Sequence, residues 1–203
     1  MFAVYYLFKV LCQCLLKLIG YPSVLGREHI PSKSPFILVA NHQSILDPLV
    51  LMACIPRRIT FLAAAYIFKI PLVGQIVRAG GALPVKSQKG DFASMKQALS
   101  QLSRGGVIGI FPEGGVSMDG QMRPFLPGWA YLALKAGVPV VPVAISGTRQ
   151  ILPAGKYIPR RGKIKVNIGE PLYVEKKSRI HRKDLDQLND KMMQIVSRLM
   201  ENN

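Results

Sequence analysis

Cysteine, acidic residues and long apolar runs are all scarce in this sequence of 203 residues. The three cysteines, Cys12, Cys14 and Cys54, form no Cys-x-x-Cys pair and have no histidine nearby, which argues against a zinc site. Such a small, odd number of cysteines suits a reducing compartment. No stretch reaches the roughly 18 uncharged apolar residues that a spanning helix needs, so a many-pass membrane protein is excluded.

Basic residues far outnumber acidic ones, with 27 Lys and Arg against 11 Asp and Glu and a net charge of +16. A nucleic acid, an anionic membrane surface or an anionic substrate would suit this excess, and a solvated basic face is the alternative. Residues 156–183 contain ten Lys or Arg and two Glu. Nucleic-acid binding also needs interleaved aromatic residues, and this tract offers only Tyr157 and Tyr173. We therefore expect an anionic membrane surface as partner and no nucleic acid.

The N-terminal residues 1–20 are apolar apart from Lys9, Gln13 and Lys17. Because these recur every four residues, they should share one side of a helix, opposite a broad apolar surface. A spanning helix would lose about 2.5–3.5 kcal/mol at Lys9, so an interfacial helix is favoured over a span. A signal peptide and a buried core helix are the alternatives. The predicted apolar surface carries Phe2, Tyr5, Leu7, Leu15 and Leu16.

Apolar runs alternate with amphipathic ones along the rest of the chain. This pattern predicts an α/β fold, a single domain with a mostly parallel central sheet flanked by helices. We expect a membrane-associating helical segment over residues 1–25 and the α/β domain over 26–203. The predicted strands are 36–40, 59–63, 82–85, 107–111, 138–145 and 163–168. The predicted helices are 48–54, 67–78, 92–103, 129–136 and 183–200. Sites in such sheets lie at the carboxyl ends of strands, here after residues 40 and 111.

Two histidines have an aspartate five residues later, so this spacing alone is weak. His181 and Asp186 lie in a charged stretch that opens the last helix, which is typical of surface structure. His42 instead follows a buried strand, and Asp47 precedes Pro48 at a predicted helix start. We expect His42 to fold back toward Asp47, which would orient the ring while the other nitrogen takes a proton. The alternative is a helix cap beside an ordinary polar loop residue.

Glu113 directly follows another buried strand and precedes Gly114 and Gly115. Glycines allow a ligand to approach the backbone closely, and exposed N–H groups favour anions. The alternative is an ordinary turn with a solvated Glu. Gly115 and Val116 stand where a phosphate-binding loop needs Lys and Ser or Thr, so nucleotide triphosphate binding is not supported. No Gly-x-Ser-x-Gly occurs either, and His42 is better interpreted as a base that activates a substrate hydroxyl.

Four blocks of the sequence occur in the order of one family's motifs. They are residues 41–48, 68–78 with 81–86, 111–114 and 138–143. With them, residues 26–172 resemble the glycerolipid acyltransferases typified by 1-acylglycerol-3-phosphate acyltransferase. The fourth block, which is rich in proline, would support the sheet and the acyl pocket.

The resemblance implies an O-acyltransferase with His42 and Asp47 as its catalytic pair. His42 would deprotonate the hydroxyl of 1-acylglycerol-3-phosphate, while Asp47 orients His42 and stabilises its charged form. The alkoxide would attack an acyl thioester on coenzyme A or acyl carrier protein, giving phosphatidic acid without a covalent acyl-enzyme. No metal or other cofactor is implied. Acceptor binding would fall to Glu113, Gly114, Gly115 and Ser117.

The sequence departs from the family at Val116, where the third motif usually has the Arg that is thought to hold the acceptor phosphate. The phosphate contact would then pass to Arg78, Lys86 or Arg123. Alternatively, the acceptor is another lysophospholipid, since residues 113–118 are also similar to tafazzin-like transacylases, which act on larger head groups. A basic lipid-binding module without catalysis is a further alternative. The small size and the basic surface lead us to expect the cytoplasmic face of the bacterial inner membrane.

Overall fold

The computed structural model describes residues 2–71, 73–86 and 92–201. Seven strands in these ranges form one sheet. They are β1 (Pro22–Leu25), β2 (Phe36–Ala40), β3 (Ile59–Ala64), β4 (Leu83–Val85), β5 (Val107–Ile110), β6 (Val140–Ser146) and β7 (Ile164–Ile168). The α-helices are α1 (Phe2–Ile19), α2 (Asp47–Cys54), α3 (Val73–Ala79), α4 (Phe92–Ser103), α5 (Gly128–Ala136), α6 (Thr148–Ile151) and α7 (Arg182–Glu201).

The sheet has the order β1-β7-β6-β2-β5-β3-β4. Every neighbouring pair is parallel except β6 and β7, which are antiparallel. Each face of the sheet carries its own apolar core, and β2 is buried on both faces. A parallel sheet covered on both sides favours such continuous apolar strands. The predicted α/β fold with a mostly parallel sheet is confirmed.

The predicted boundary at residue 25 cuts through the sheet, because β1 pairs with β7 in the register Pro22 to Ile164. Residues 22–25 therefore belong to the α/β sheet, and only residues up to Ile19 are helical. This strand has four residues and starts with proline, which has no N–H for a ladder and is common at sheet edges. It is therefore too short to show the apolar run by which the longer strands were predicted.

The helix predicted over residues 67–78 is interrupted. A 3-10 turn covers Ile67–Lys69, and α3 begins at Val73. Pro71 lies between them, and proline lacks an N–H and disfavours helical geometry in the residue before it. Met1 and Leu72, which belong to predicted segments, lie outside the described residues.

The helix α1 is fastened to the domain through its polar side chains. The Lys9 ammonium donates to the Ile55 carbonyl at 2.5 Å, and the Gln13 amide donates to the Ala53 carbonyl at 3.1 Å. Both carbonyls lie at the C-terminal end of α2, where backbone acceptors lack partners within the helix. Burial lowers the pKa of Lys9 from its ordinary value.

The orientation of α1 in the structure differs from the predicted one. Tyr5 and Leu16, expected on the outer apolar surface, are buried against the domain, because the α2 carbonyls draw the polar side inward. Phe2 was predicted on the same surface, but its side chain is not among those that the structure describes. A row of exposed apolar residues, the outer stripe, faces away from the domain. It consists of Val4, Tyr6, Leu7, Val10, Leu11, Leu15 and Leu18. Within the described ranges, no helix has the length and apolar character that crossing a bilayer demands.

Candidate active site

The loop that carries His42 is anchored at the carboxyl end of the central strand β2. Asn41 exchanges two hydrogen bonds with the backbone of Ile145 in β6. Its Nδ2 donates to the carbonyl at 2.9 Å, and its Oδ1 accepts from the amide at 2.7 Å. His42 follows at once, and α2 starts five residues later at Asp47. The loop is therefore fixed at both ends by regular structure.

The structure brings the His42 ring and the Asp47 carboxylate together, with Nδ1 and Oδ2 2.9 Å apart. Asp47 is fully buried, and Oδ2 also accepts the amides of Gln43 at 2.6 Å and Ser44 at 2.8 Å. The positive end of α2 further favours a negative charge there. When Nδ1–H is donated to Asp47, the lone pair of Nε2 is available for a proton. The arrangement can therefore serve as a general base.

The second histidine with this spacing is arranged differently. The His181 amide donates to Asp184 at 2.8 Å, and Asp186 pairs with Arg182 at 3.6 Å. Asp184 also accepts from Lys177, and this hydrogen bond, followed by that from the His181 amide, lowers the pKa of its carboxyl. Both members of the His181–Asp186 pair are exposed, as expected for a surface helix start.

The side chain of Phe111 is part of this site, although the sequence analysis assigned it no role. Its ring stacks on His42 with centroids 4.1 Å apart and an angle of 21°, and it stacks on Phe61 at 5.8 Å and 8°. The aromatic column limits the orientations that the imidazole can take. Strand register is the signal that could have found this contact, because Ile110 pairs with Val39 and places Phe111 beside the His42 loop.

Glu113 joins the two loops. Its Oε1 accepts the His42 amide at 2.7 Å, and its Oε2 accepts the Arg123 amide at 3.1 Å, with the Arg123 Nε at 3.9 Å. The residue is only 8% exposed. Burial raises the pKa of the Glu113 carboxyl, while the two amides act in the opposite direction. Because both oxygens already have protein donors, this geometry favours a positioning role for Glu113, and the expected contact with substrate stays a prediction.

Ser117 holds the other side of the His42 peptide. Its amide donates to the His42 carbonyl at 2.8 Å. The buried hydroxyl donates to Asp119 at 2.9 Å and accepts the Gly120 amide at 2.9 Å. The Ser117 hydroxyl is thus engaged within its own loop, and the predicted contact with substrate stays a prediction. Glu113 and Ser117, which both follow β5, thus hold the backbone of His42 through its amide and its carbonyl.

The comparison with protein families agrees with this geometry. The family model described as Acyltransferase matches residues 22–146, more than half of the chain. The chain belongs to the acyltransferase family. The resemblance carried by the four sequence blocks is thereby confirmed.

Relatives of this family member include proteins of plants and bacteria. The chain is 34% identical over 157 residues to the chloroplastic 1-acyl-sn-glycerol-3-phosphate acyltransferase BAT2 of Brassica napus, covering 75% of this chain and 45% of that protein. It is 28% identical over 162 residues to the 1-acyl-sn-glycerol-3-phosphate acyltransferase of Bacillus subtilis, covering 79% and 78%. The chain spans about half the length of the plant and algal relatives that it matches.

A solved relative has the same fold. The crystal structure of the 1-acyl-sn-glycerophosphate (LPA) acyltransferase PlsC from Thermotoga maritima superposes with a TM-score of 0.81 at 28% identity. The match covers 98% of this chain and 78% of that one.

The loop at Gly114 and Gly115 lies beside Arg123. Gly114 has φ +72°, a conformation that side chains rarely adopt. The Arg123 guanidinium donates to the Gly115 carbonyl, and its Nη2 lies 3.3 Å from where a Cβ on Gly115 would be. The Arg123 side chain is 44% exposed, so part of it faces solvent next to the candidate site.

Arg78 lies in α3, and Lys86 directly follows the edge strand β4. Arg78 donates to the Phe68 carbonyl at 2.7 Å, and its guanidinium lies 5.8 Å from the Phe68 ring centre. Lys86 follows β4, which is separated from β2 by β5 and β3. At about 4.8 Å per strand, that position lies roughly 14 Å across the sheet from the start of the His42 loop. Among the predicted phosphate-binding cations, Arg123 is hydrogen-bonded through its backbone amide to Glu113, which also accepts the His42 amide.

Two further polar residues support the loop and were not predicted. The side-chain Nε2 of Gln43 donates to the Gly120 carbonyl at 3.4 Å, and the guanidinium of Arg149 in α6 donates to the Met118 carbonyl at 3.0 Å. Their partners are distant in sequence, so only the order of strands could have indicated these contacts. In the described part of the chain, no cluster of His, Cys, Asp and Glu is placed to hold a metal ion.

Replacing Glu113 with Gln should lower kcat about 10–100-fold with little change in KM, as expected when a catalytic group is slightly misplaced. A Gln side chain carries one oxygen and one NH₂ group, so its NH₂ would face one of the two amides that Glu113 now accepts. That unpaired donor should cost about 1–3 kcal/mol of unfolding free energy. Steady-state kinetics and denaturant unfolding would measure both effects.

Glu170, which is exposed, offers the matched control, and Glu170→Gln should change neither quantity. A higher KM with unchanged kcat in Glu113→Gln would contradict the positioning role and favour direct contact with substrate.

Proposed function

We propose that this acyltransferase forms phosphatidic acid by moving an acyl chain from a thioester to the free hydroxyl of 1-acylglycerol-3-phosphate. The His42–Asp47 pair, with 2.9 Å between Nδ1 and Oδ2, carries this proposal. It lies in the first loop after the central strand, where α/β sheets bind their ligands. Plant and bacterial relatives are named for this activity, and so is the solved structure.

The geometry supports a direct transfer with His42 as general base and then general acid. Nε2 of His42 takes the proton of the acceptor hydroxyl, and the oxygen attacks the thioester carbonyl to give a tetrahedral intermediate. The C–S bond then breaks, and the thiolate of coenzyme A or acyl carrier protein leaves with the proton held by His42. Asp47 stabilises the imidazolium that exists between the two proton transfers.

The serines closest to His42 in its own loop and in the facing loop support transfer without an acyl-enzyme. The Ser44 hydroxyl is buried and donates to the Leu152 carbonyl at 2.7 Å. The Ser117 hydroxyl is buried and donates to Asp119. Neither proton points to His42, so neither hydroxyl is prepared as a nucleophile. The acceptor hydroxyl is therefore the group that His42 activates.

Arg123 is the cation that we propose for the acceptor phosphate. Its guanidinium packs on Gly115, immediately before Val116, where the family usually has an arginine. A guanidinium can offer two N–H groups to one phosphate, which an ammonium cannot do with the same geometry. The side chain is 44% exposed beside the loop, so Arg123 can take the role left open by Val116.

Arg123→Gln should raise the KM for 1-acylglycerol-3-phosphate about 10–100-fold while kcat changes little, because hydrogen bonds to a charged group contribute about 1.5–3 kcal/mol. Arg78→Gln, which removes an exposed arginine on the α3 side, should leave the KM unchanged. A larger effect in Arg78→Gln than in Arg123→Gln would contradict the assignment.

A second candidate keeps the chemistry and changes the acceptor, and Val116 favours it. Purified protein would be assayed with lysophosphatidic acid, lysophosphatidylglycerol, lysophosphatidylethanolamine and lysophosphatidylcholine, using acyl-CoA and acyl carrier protein donors. We expect the highest kcat/KM with lysophosphatidic acid. A preference for an acceptor with a larger head group would overturn the leading proposal and establish the second.

The outer stripe of α1 supports action at a membrane surface. Its apolar side chains point away from the domain, and Leu18 is 65% exposed. Such a helix lies in the bilayer interface, and the +16 charge suits anionic lipid. We place the enzyme on the cytoplasmic face of the bacterial inner membrane, where three free thiols, Cys12, Cys14 and Cys54, stay reduced.

A further inference from the structure

The loop between α6 and β7 exposes large apolar side chains among cations. Tyr157 and Ile158 at its tip are 91% and 83% exposed. The basic loop, defined as residues 153–163, contains no acidic residue. Its cations are Lys156, Arg160, Arg161 and Lys163. A soluble face needs no tyrosine and isoleucine side by side in water, so this composition points to a partner that is apolar and anionic.

The basic loop is hydrogen-bonded to the end of α1. The Gly162 amide donates to the Ile19 carbonyl at 2.9 Å. A shallow cleft between the two segments is lined by Lys17, Leu18 and Arg161, among others. Leu18 belongs to the outer stripe of α1. The cationic side of the loop and the exposed apolar row of the helix therefore meet at one surface.

The other end of the basic loop reaches the candidate active site. The Arg160 amide donates to the Ile151 carbonyl at 2.8 Å, which closes the loop on α6. The neighbouring Leu152 carbonyl accepts the buried Ser44 hydroxyl at 2.7 Å. Ser44 lies in the same short loop as His42, and its amide donates to Asp47. Hydrogen bonds and short chain segments between them thus connect α1 through the basic loop to the loop of His42.

We propose that the basic loop is a second membrane-docking element, which places Tyr157 and Ile158 among the lipids of an anionic bilayer beside α1. The inference rests on the proposed membrane-surface function and deepens it. Tyrosine prefers the interface, where its ring is apolar and its hydroxyl remains wet. The charged ends of the cations around it can reach the lipid phosphates while the apolar parts of their side chains remain in contact with apolar surface. Docking at two points would set the height and tilt of His42 over the bilayer, which one helix cannot do.

Two exposed apolar side chains at the tip argue for a bilayer over a nucleic acid. Nucleic acid offers phosphates for the cations and stacking for Tyr157, but nothing for an isoleucine. Binding of an RNA or DNA duplex is therefore an outcome that would overturn the inference. The proposal predicts that the tip penetrates lipid, and this property can be measured without substrate turnover.

Vesicle binding tests the tip directly. Flotation with vesicles of phosphatidylglycerol and phosphatidylcholine should give an affinity about 10–100-fold lower for the double variant Tyr157→Ser/Ile158→Ser, because two large apolar side chains no longer leave water. Tyr173, which follows β7 in the chain, is 77% exposed and lies beside α5 and α7. Tyr173→Ser is therefore a matched control and should bind as the unchanged protein does.

The cations give a second test with a salt-dependent readout. Arg160→Gln/Arg161→Gln should weaken binding to anionic vesicles about 25-fold at low salt, at roughly fivefold for each cation near the surface. The difference should shrink as salt is added. Arg179→Gln/Lys183→Gln, two exposed cations before and in α7, removes the same charge elsewhere. An equal loss in this control pair would show attraction by net charge alone and overturn a role for the loop.

Insertion itself can be read from fluorescence. The chain has one tryptophan, Trp129, which is buried. In Tyr157→Trp, lipids brominated in their acyl chains should quench the added emission, and in Tyr173→Trp they should not. Equal quenching in both variants, unchanged affinity in the serine variants, or binding to a nucleic-acid duplex in place of vesicles would each overturn the inference. Acyl transfer is assayed separately in detergent micelles. If the loop binds lipid but the protein has no acyltransferase activity, only the proposed function is contradicted.

Discussion

Replacing His42 with alanine should lower kcat for acyl transfer about 10³–10⁴-fold, because general-base and general-acid catalysis by one group contributes up to about 10⁴. The ring that is lost stacks on Phe111, and its Nδ1 lies 2.9 Å from Oδ2 of Asp47. KM should change little, because His42 acts on the reacting hydroxyl and not on the bulk of either substrate. Release of the free thiol, followed with and without acceptor, measures the effect.

His181→Ala supplies a control within the same chain. His181 has the same spacing to an aspartate, but its side chain is exposed and Asp186 pairs with Arg182. We expect full activity in this variant. The thermal midpoints of both variants should stay close to that of the unchanged protein, because the His42 backbone bonds to Glu113 and Ser117 do not need the ring. Turnover that persists in a folded His42→Ala protein would exclude His42 as the base.

The sequence could predict that the candidate site lies in the loops at the carboxyl ends of two strands. Both loops follow apolar runs that become β2 and β5, and these strands are neighbours. The predicted helix 92–103 coincides with α4, because its residues alternate between apolar and polar faces over three turns. The elements of the fold and the candidate His42–Asp47 pair are thus indicated by local patterns in the sequence.

The remaining features depend on pairings between distant residues. Glu113 turned out to bind the His42 amide, which is 71 positions away, and no local pattern distinguishes that role from a ligand contact. The orientation of α1 was predicted from its own periodicity, but it is set by the Ala53 and Ile55 carbonyls at the end of α2. Amphipathic spacing shows that two faces differ. It does not show which face a partner will cover.

Replacing Asp47 with asparagine should lower kcat about 10²–10³-fold, with the fold intact and KM little changed. The expected loss is less than the roughly 10⁴-fold known where such a change also gives the histidine the wrong tautomer. Asp47 Oδ2 accepts three donors, the His42 ring and the amides of Gln43 and Ser44. An NH₂ group in that place would face two backbone N–H groups, so the asparagine oxygen should occupy it.

The asparagine NH₂ group would then take the place of Asp47 Oδ1, which is buried and has no hydrogen-bond partner among the described groups. This placement costs some stability, about 1–3 kcal/mol for a buried unsatisfied donor. His42 keeps its Nδ1–H bond and its tautomer. What disappears is the negative charge that stabilises the imidazolium formed when the acceptor hydroxyl loses its proton, and this loss affects the transition state more than the bound substrates.

Nitrogen NMR of ¹⁵N-histidine-labelled protein separates the two explanations, since the chain has only three histidines. We expect the Nδ1–H tautomer of His42 in both the unchanged protein and Asp47→Asn, together with the loss in kcat. An Nε2–H tautomer in the variant would mean that the asparagine has flipped and that orientation, not charge, is the main contribution of Asp47. Asp186→Asn should alter neither the spectrum of His42 nor kcat, because Asp186 pairs with Arg182 on the exposed surface of α7. A fully active Asp47→Asn protein would remove Asp47 from the mechanism and leave His42 to act alone.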